Sequence, residues 1–169
     1  VKEEAYAAKA IVVATGVNRI PIVPTWPGVE EFDKQILHSR DYKNTLPFQS
    51  KRVLVVGMGN TGAEIALDLA EHGIETYLSV RSEVSIVPRD ILGRPTQLSA
   101  RMLDKLPFGI GKMLGSLSAK LAIGDLTPYG LTRSQMHPID QLKTLGKTPV
   151  IDLGTVAQIK KGNIQVVGD

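Results

Sequence analysis

Gly57, Gly59 and Gly62 are the residues whose spacing most directly implies chemistry, because G-x-G-x-x-G between a strand and a helix binds the pyrophosphate of a dinucleotide. Each glycine has its own task there. Gly57 lets the strand turn sharply, Gly59 lets the backbone approach phosphate, and Gly62 lets the helix pack close to the strand. The first helical N–H groups then face the anion. Asn60 and Thr61, inside the motif, are expected to contact phosphate or ribose by side chain or backbone, and Glu64 to suit the positive start of the helix.

The next strand decides which dinucleotide is read. An acid at its end would accept from a ribose 2′-hydroxyl, as NAD sites do. Residues 75–80 read as that strand, and Arg81-Ser82 follow it where the ribose-binding residue belongs. A guanidinium pairs with phosphate through two hydrogen bonds and stays charged, so Arg81 and Ser82 favour NADP over NAD.

The elements that must position these residues are legible around them. Residues 52–56 are an apolar strand, 63–70 have helical periodicity, and Gly73 ends the helix. The expected fold is therefore three-layer α/β, a Rossmann-like NADP-binding domain from residue 51 onward with residues 53–56 central in a parallel sheet. Further strands are expected at 149–153 and 162–168. Between them, at about 91–125, a helical insertion carries apolar residues at Leu98, Met102, Leu106, Ile110, Met113, Leu114, Leu117 and Leu121. Pro107, Gly109, Gly111 and Gly115 should divide it into two helices. Its stripe is expected to pack on the nucleotide domain or a further domain. A lid or membrane-surface helix is the alternative that Lys105, Lys112 and Lys120 leave open, although no membrane association is expected. Upstream, residues 10–16 read as a short β-branched strand, and Pro21, Pro24 and Pro27 mark 17–50 as an interdomain linker. A chain opening on Val1 and leading straight into a strand without a partner reads as a fragment of a longer protein.

Composition bounds the rest. The 169 residues are 43% hydrophobic and 22% charged, ordinary for a globular domain, and the net charge of +3 is scattered among few aromatics, so nucleic acid is not an expected partner. There is no cysteine, which removes thiolate chemistry and disulfides from the segment, and cytoplasm is the default compartment. No Ser-His-Asp set, paired carboxylate or metal-ligand spacing stands out, so no catalytic residue and no metal are assigned. His38 reads either as an interdomain hydrogen-bonding residue or as an exposed histidine, His72 as a helix-end cation, and Arg133 and His137-Pro138 either as loop residues approaching the nicotinamide half or the phosphates of the cofactor or, the plainer reading, as solvated loop residues.

Taken in order, several of these residues resemble the flavin-containing monooxygenase family, in particular its YUCCA-type indole-3-pyruvate monooxygenase branch. Val13-Ala14-Thr15-Gly16 is similar to the family's Ala-Thr-Gly element, and Phe32, His38 and Tyr42 resemble the fingerprint F-x-G-x-x-x-H-x-x-x-Y, with Lys34 standing in place of its glycine. Gly57 to Gly62 resemble the second, NADPH-binding glycine motif. Val80-Arg81-Ser82, Val87-Pro88-Arg89, Tyr129-Gly130-Leu131 and Gly146-Lys147-Thr148-Pro149-Val150-Ile151-Asp152 follow the branch pattern. The resemblance implies an enzyme of two dinucleotides, in which NADPH reduces FAD and one atom of O₂ enters a small substrate, an arylpyruvate in this branch. It also implies that residues 1–16 are a remnant of a nested FAD-binding domain, with Ala14, Thr15 and Gly16 near FAD. From the residues alone, two alternatives stay open: the NAD(P)H domain of a pyridine-nucleotide disulfide oxidoreductase-like flavoprotein, and a non-catalytic NADP-binding module.

Overall fold

Strand β1 (Arg52–Val56) carries three valines and a leucine in five residues, the β-branched composition that suits a pleated surface. In the computed structural model, which describes residues 4–14, 16, 20–91, 93–103 and 110–168, it runs parallel to β2 (Glu75–Ser79), with Arg52 opposite Glu75 and Val56 opposite Ser79. Helix α1 (Asn60–Glu71) makes the crossover. Its buried residues include Ala63, Ala66 and Ala70, whose small side chains let it lie close against the sheet, while Leu67 and Leu69 fill the remaining space. The helix closes at Gly73, and Ile74 N–H donates to the Leu69 carbonyl at 3.0 Å.

The third strand of this sheet is β7 (Ile164–Val167), parallel to β2 on its far side. Between β2 and β7 in sequence lie β3 (Ile86–Pro88), a two-residue antiparallel pairing of β4 (Asp90–Ile91) with β5 (Arg94–Pro95), and helices α2 (Thr96–Leu103) and α3 (Ile110–Ile123). Helix α4 (Pro138–Leu145), strand β6 (Val150–Asp152) and helix α5 (Thr155–Lys161) follow. Strand β6 pairs in parallel with β3 as a separate two-stranded sheet. One core joins the pieces: Ala66 and Ala70 of α1, Leu78 of β2, Ile86 of β3, Val150 of β6, Val156 and Ile159 of α5 and Ile164 of β7.

This is a mixed α/β architecture around parallel strands, and it corrects the expected sheet in two respects. Strand β1 is not central: the order is β1-β2-β7, so β1 lies at the edge. A first strand becomes central only when a later strand crosses to its outer side, and among the described residues none does. Nor, among the described residues, do helices cover both faces of this sheet. Val53, Val55, Thr76, Leu78, Ile164 and Val166 share the face that packs on helices, whereas Leu54 and Val56, on the other face, stay 55% and 57% exposed.

Other differences have equally local causes. The chain divides into two units, Val1–Tyr42 and Lys43–Asp169. In the first unit the expected strand at 10–16 is not formed among the described residues: Ile11, Val12 and Val13 are at least 80% exposed, and an extended segment without a neighbour has no ladder to join. That unit does contain 3₁₀ turns at Val29–Glu31 and Ser39–Asp41, the second capped by His38, whose Nδ1 accepts from the Arg40 N–H at 3.1 Å. The expected break around Pro107 and Gly109 lies outside the described residues. Helix α3 buries Gly111, Ala119 and Ile123, while Met113, Leu117 and Leu121 of the expected packing stripe are exposed. Pro138 is not in a loop but opens α4, where its missing N–H costs nothing. Arg133 is not a solvated loop residue either: it bridges to Val84, its Nη2 donates to the Ile86 carbonyl at 3.3 Å, and burial holds its pKa below the usual value. Among the described residues no helix is long and apolar enough to cross a membrane, and no cluster of metal-ligating side chains occurs.

Candidate nucleotide-binding site

At the end of β1 the Gly57 N–H makes one more ladder bond, to the Ser79 carbonyl at 2.9 Å, and the chain then leaves the sheet with Gly57 at φ +95°, a conformation that disfavours any side chain. Met58 turns inward and joins the core, anchoring a loop whose neighbours Gly57 and Gly59 are exposed. Gly59 then caps α1 with its backbone: its carbonyl accepts from the Ala63 N–H at 2.9 Å. No side chain caps this helix start, so the leading N–H groups remain available to an anion.

Gly62 differs sharply from Gly57 and Gly59 in what a β-carbon would meet. At Gly62 it would sit 2.0 Å from the Gly57 carbonyl oxygen, so only glycine lets the first turn of α1 lie against the end of β1. At Gly59 it would meet nothing within 4 Å. Protein packing therefore explains Gly62 and leaves Gly59 beside open space, which is where a pyrophosphate must approach backbone. The turn thus fits a dinucleotide.

Because β1 and β2 are parallel with Val56 opposite Ser79, the glycine turn and Arg81-Ser82 leave from the same carboxyl edge of the sheet, on adjacent strands. In open α/β sheets this edge is where ligands bind. Arg81 and Ser82 are both exposed, and no ion pair holds Arg81 among the described residues. Thr61 is exposed as well, beside Gly62.

Asn60 behaves differently from its neighbours. Its side chain is turned to protein: Nδ2 donates to the Pro149 carbonyl at 3.2 Å and Oδ1 accepts from the Ile151 N–H at 2.8 Å. Of the two modes of phosphate contact expected for Asn60, the backbone one keeps its donor free of this arrangement. Glu64 falls beyond the first turn, because α1 begins at Asn60, and it is an exposed helix residue. Ala14 and Gly16 belong to the first unit and are exposed, and Thr15 lies outside the described residues.

Sequence reasoning missed the residues behind the turn. Asp152 Oδ1 accepts from the Gly154 and Val156 N–H groups at 3.2 and 3.0 Å, which fixes the corner from β6 into α5. Thr155, buried at that corner, donates its hydroxyl to the Ala63 carbonyl at 3.0 Å. Asp-x-Gly-Thr ahead of a short apolar-periodic run was the available signal for a capped helix.

Comparison with known proteins bears on the same segment. The family described as flavin-binding monooxygenase-like matches residues 1–107. The chain is 40% identical over 163 residues to the protein named "Probable indole-3-pyruvate monooxygenase YUCCA7" of Arabidopsis thaliana, covering 96% of this chain and 38% of that protein. It is also 40% identical over 168 residues to the Arabidopsis YUCCA9 protein of the same description, covering 98% and 40%. Against the indole-3-pyruvate monooxygenase YUCCA1 of Oryza sativa subsp. japonica it is 39% identical over 166 residues, covering 98% and 41%. The chain thus spans about two fifths of the length of these relatives.

Proposed function

Because the chain belongs to the flavin-binding monooxygenase-like family, we propose that it is the NADPH-binding portion of an FAD-dependent monooxygenase that uses NADPH and O₂ to oxygenate a small organic substrate. The observation that carries the reading is the glycine turn, closed by the Gly57–Gly62 contact and open at Gly59, with Arg81 leaving the same edge from the adjacent strand. In this reading the N–H groups at the start of α1 and Gly59 take the pyrophosphate, with Thr61 beside them, and Arg81 pairs with the 2′-phosphate that Ser82 helps to hold. When bound, the nicotinamide supplies the hydride that reduces the flavin. What this chain contributes is grip and orientation at the other end of the cofactor.

Within the same proposal, residues 1–16 close an FAD-domain segment with Ala14, Thr15 and Gly16 near FAD, 17–50 link the domains, and 51–169 form the NADP-binding domain. The relatives' names specify indole-3-pyruvate, so an arylpyruvate is the substrate class we assign. Family membership favours this reading over the disulfide-reductase alternative.

Titration calorimetry with NADP⁺ and NAD⁺ tests the cofactor assignment. The chain should bind NADP⁺ at least tenfold more tightly, and equal affinities, or no binding of either, would overturn it. Produced together with an FAD-binding segment, the protein should be yellow and take up O₂ when given NADPH and an arylpyruvate. Colourless protein, or disulfide reduction without O₂ uptake, would remove the monooxygenase reading.

A further inference from the structure

We propose that Asn60 is a positioning residue: its carboxamide clasps β6 to the start of α1 and thereby holds the glycine turn in the shape that receives a pyrophosphate. The proposal rests on the NADP reading above and adds a residue that would act on the ligand without touching it through its side chain.

Strand β6 has two edges. The Val150 N–H faces β3 and donates to the Ser85 carbonyl at 2.8 Å, so the Pro149 carbonyl and the Ile151 N–H point to the other edge. No second strand pairs there among the described residues. The Asn60 side chain takes its place. A carboxamide carries the same donor and acceptor as a peptide unit, and here it makes both ladder bonds that a neighbouring strand would have made. The orientation of the amide is fixed by its partners, since the reverse would set oxygen against oxygen and N–H against N–H.

Two further contacts continue along α1. Thr155 bonds the Ala63 carbonyl, and a β-carbon at Gly154 would sit 3.6 Å from Leu67, so the β6–α5 corner meets α1 at positions 60, 63 and 67, one face of the helix over two turns. The first of these positions lies between Gly59 and Gly62. Fixing it fixes where the leading N–H groups of α1 point, and with Oδ1 and one Nδ2 hydrogen held by β6, the side chain is anchored to protein while the backbone N–H faces outward with the rest of the helix start.

The test uses this chain, two probes and two variants. NADP⁺ engages the glycine turn and the β2 end, whereas adenosine 2′-phosphate lacks the pyrophosphate and engages only the β2 end. Asn60→Ala should raise the Kd for NADP⁺ about tenfold, the order expected for losing two hydrogen bonds, with unchanged stoichiometry and with the Kd for adenosine 2′-phosphate within twofold of wild type. Partial unfolding would instead lower the stoichiometry for both probes. Hydrogen exchange at the Ile151 amide should quicken in the same variant. Thr155→Val should weaken NADP⁺ in the same direction, about threefold, although Thr155 is only 2% exposed and cannot reach a ligand. An Asn60→Ala Kd equal to wild type would overturn the proposal. So would a weakened Asn60→Ala with Ile151 exchange and Thr155→Val affinity both unchanged, because the side chain would then be acting on phosphate directly. Should Asn60→Ala fail to fold, an unchanged NADP⁺ affinity in Thr155→Val overturns it alone. A wild-type chain that binds neither probe would refute the NADP reading, and exchange at Ile151 would still decide the clasp.

Discussion

Substituting alanine at Gly62 and, separately, at Gly59 should give opposite signatures of stability and binding, although both residues belong to one motif. A methyl at Gly62 would lie 2.0 Å from a carbonyl oxygen, about 1.4 Å inside ordinary contact. That oxygen belongs to backbone held by the Gly57 ladder bond, so it cannot rotate aside, and the start of α1 must shift. Overpacking of this kind costs up to about 3 kcal/mol, of which a helical alanine regains somewhat under 1 kcal/mol, leaving a loss of about 2 kcal/mol. In a domain of this size that is a fall of about 4–8 °C in Tm. At Gly59 the methyl meets no protein atom and the backbone, at φ −89°, accepts any residue, so Tm should stay within about a degree while NADP⁺ affinity falls at least tenfold. Thermal melts followed by nucleotide titration of the folded variants read both quantities. A Gly62→Ala protein as stable as wild type would mean that α1 is not pressed against Gly57. Gly59→Ala protein binding NADP⁺ normally would mean that no pyrophosphate enters this turn.

Arg81→Ala should weaken NADPH binding by about 1.5–3 kcal/mol, the range for hydrogen bonds to charged groups, and leave NADH nearly unchanged; equal losses by calorimetry would show that Arg81 does not read the 2′-phosphate. Met58→Ala should cost about 2 kcal/mol in urea denaturation, since Met58 is the one side chain of the turn in the core; no change in midpoint would count against that anchoring. Asp152→Ala should lose about 1 kcal/mol by the same measurement, because the Gly154 and Val156 N–H groups lose their shared acceptor, and an unchanged midpoint would argue that water replaces it fully.

Features that depend on near neighbours in sequence were the readable ones. Strand β1, α1, β2 and the turns at Gly57 and Gly73 follow from hydrophobic period and glycine placement within about thirty residues, and the structure has them. The position of β1 at the sheet edge could not be read that way, because strand order depends on where distant segments cross over. Neither could the partner of Asn60, which lies 91 residues away in Ile151. At 10–16 the β-branched run expressed a propensity that only a pairing partner converts into a strand. Arg133 reads from the sequence as a loop residue, whereas its place is set by the pairing of residue 133 with Val84. Pro138, by contrast, carried a usable signal: proline followed by apolar-periodic residues is a helix start as readily as a loop.

The separation of the two strand pairings also orders events in time. Strand β1 reaches β2 across a connection of about twenty residues that is itself mostly helix, whereas Thr76 must find Ile164 at a distance of about ninety. Loop closure over the longer span is entropically costlier and is recovered only when the β6–α5 corner arrives with β7. The β1–α1–β2 unit is therefore placed to nucleate folding, and β7 to dock late. In kinetic measurements, truncating Val55 should slow refolding, whereas truncating Ile164 should chiefly accelerate unfolding; the reverse pattern would mean that the distant pairing forms first. On this ordering, the glycine turn takes its local shape early and acquires its Asn60 restraint only as the last strand closes.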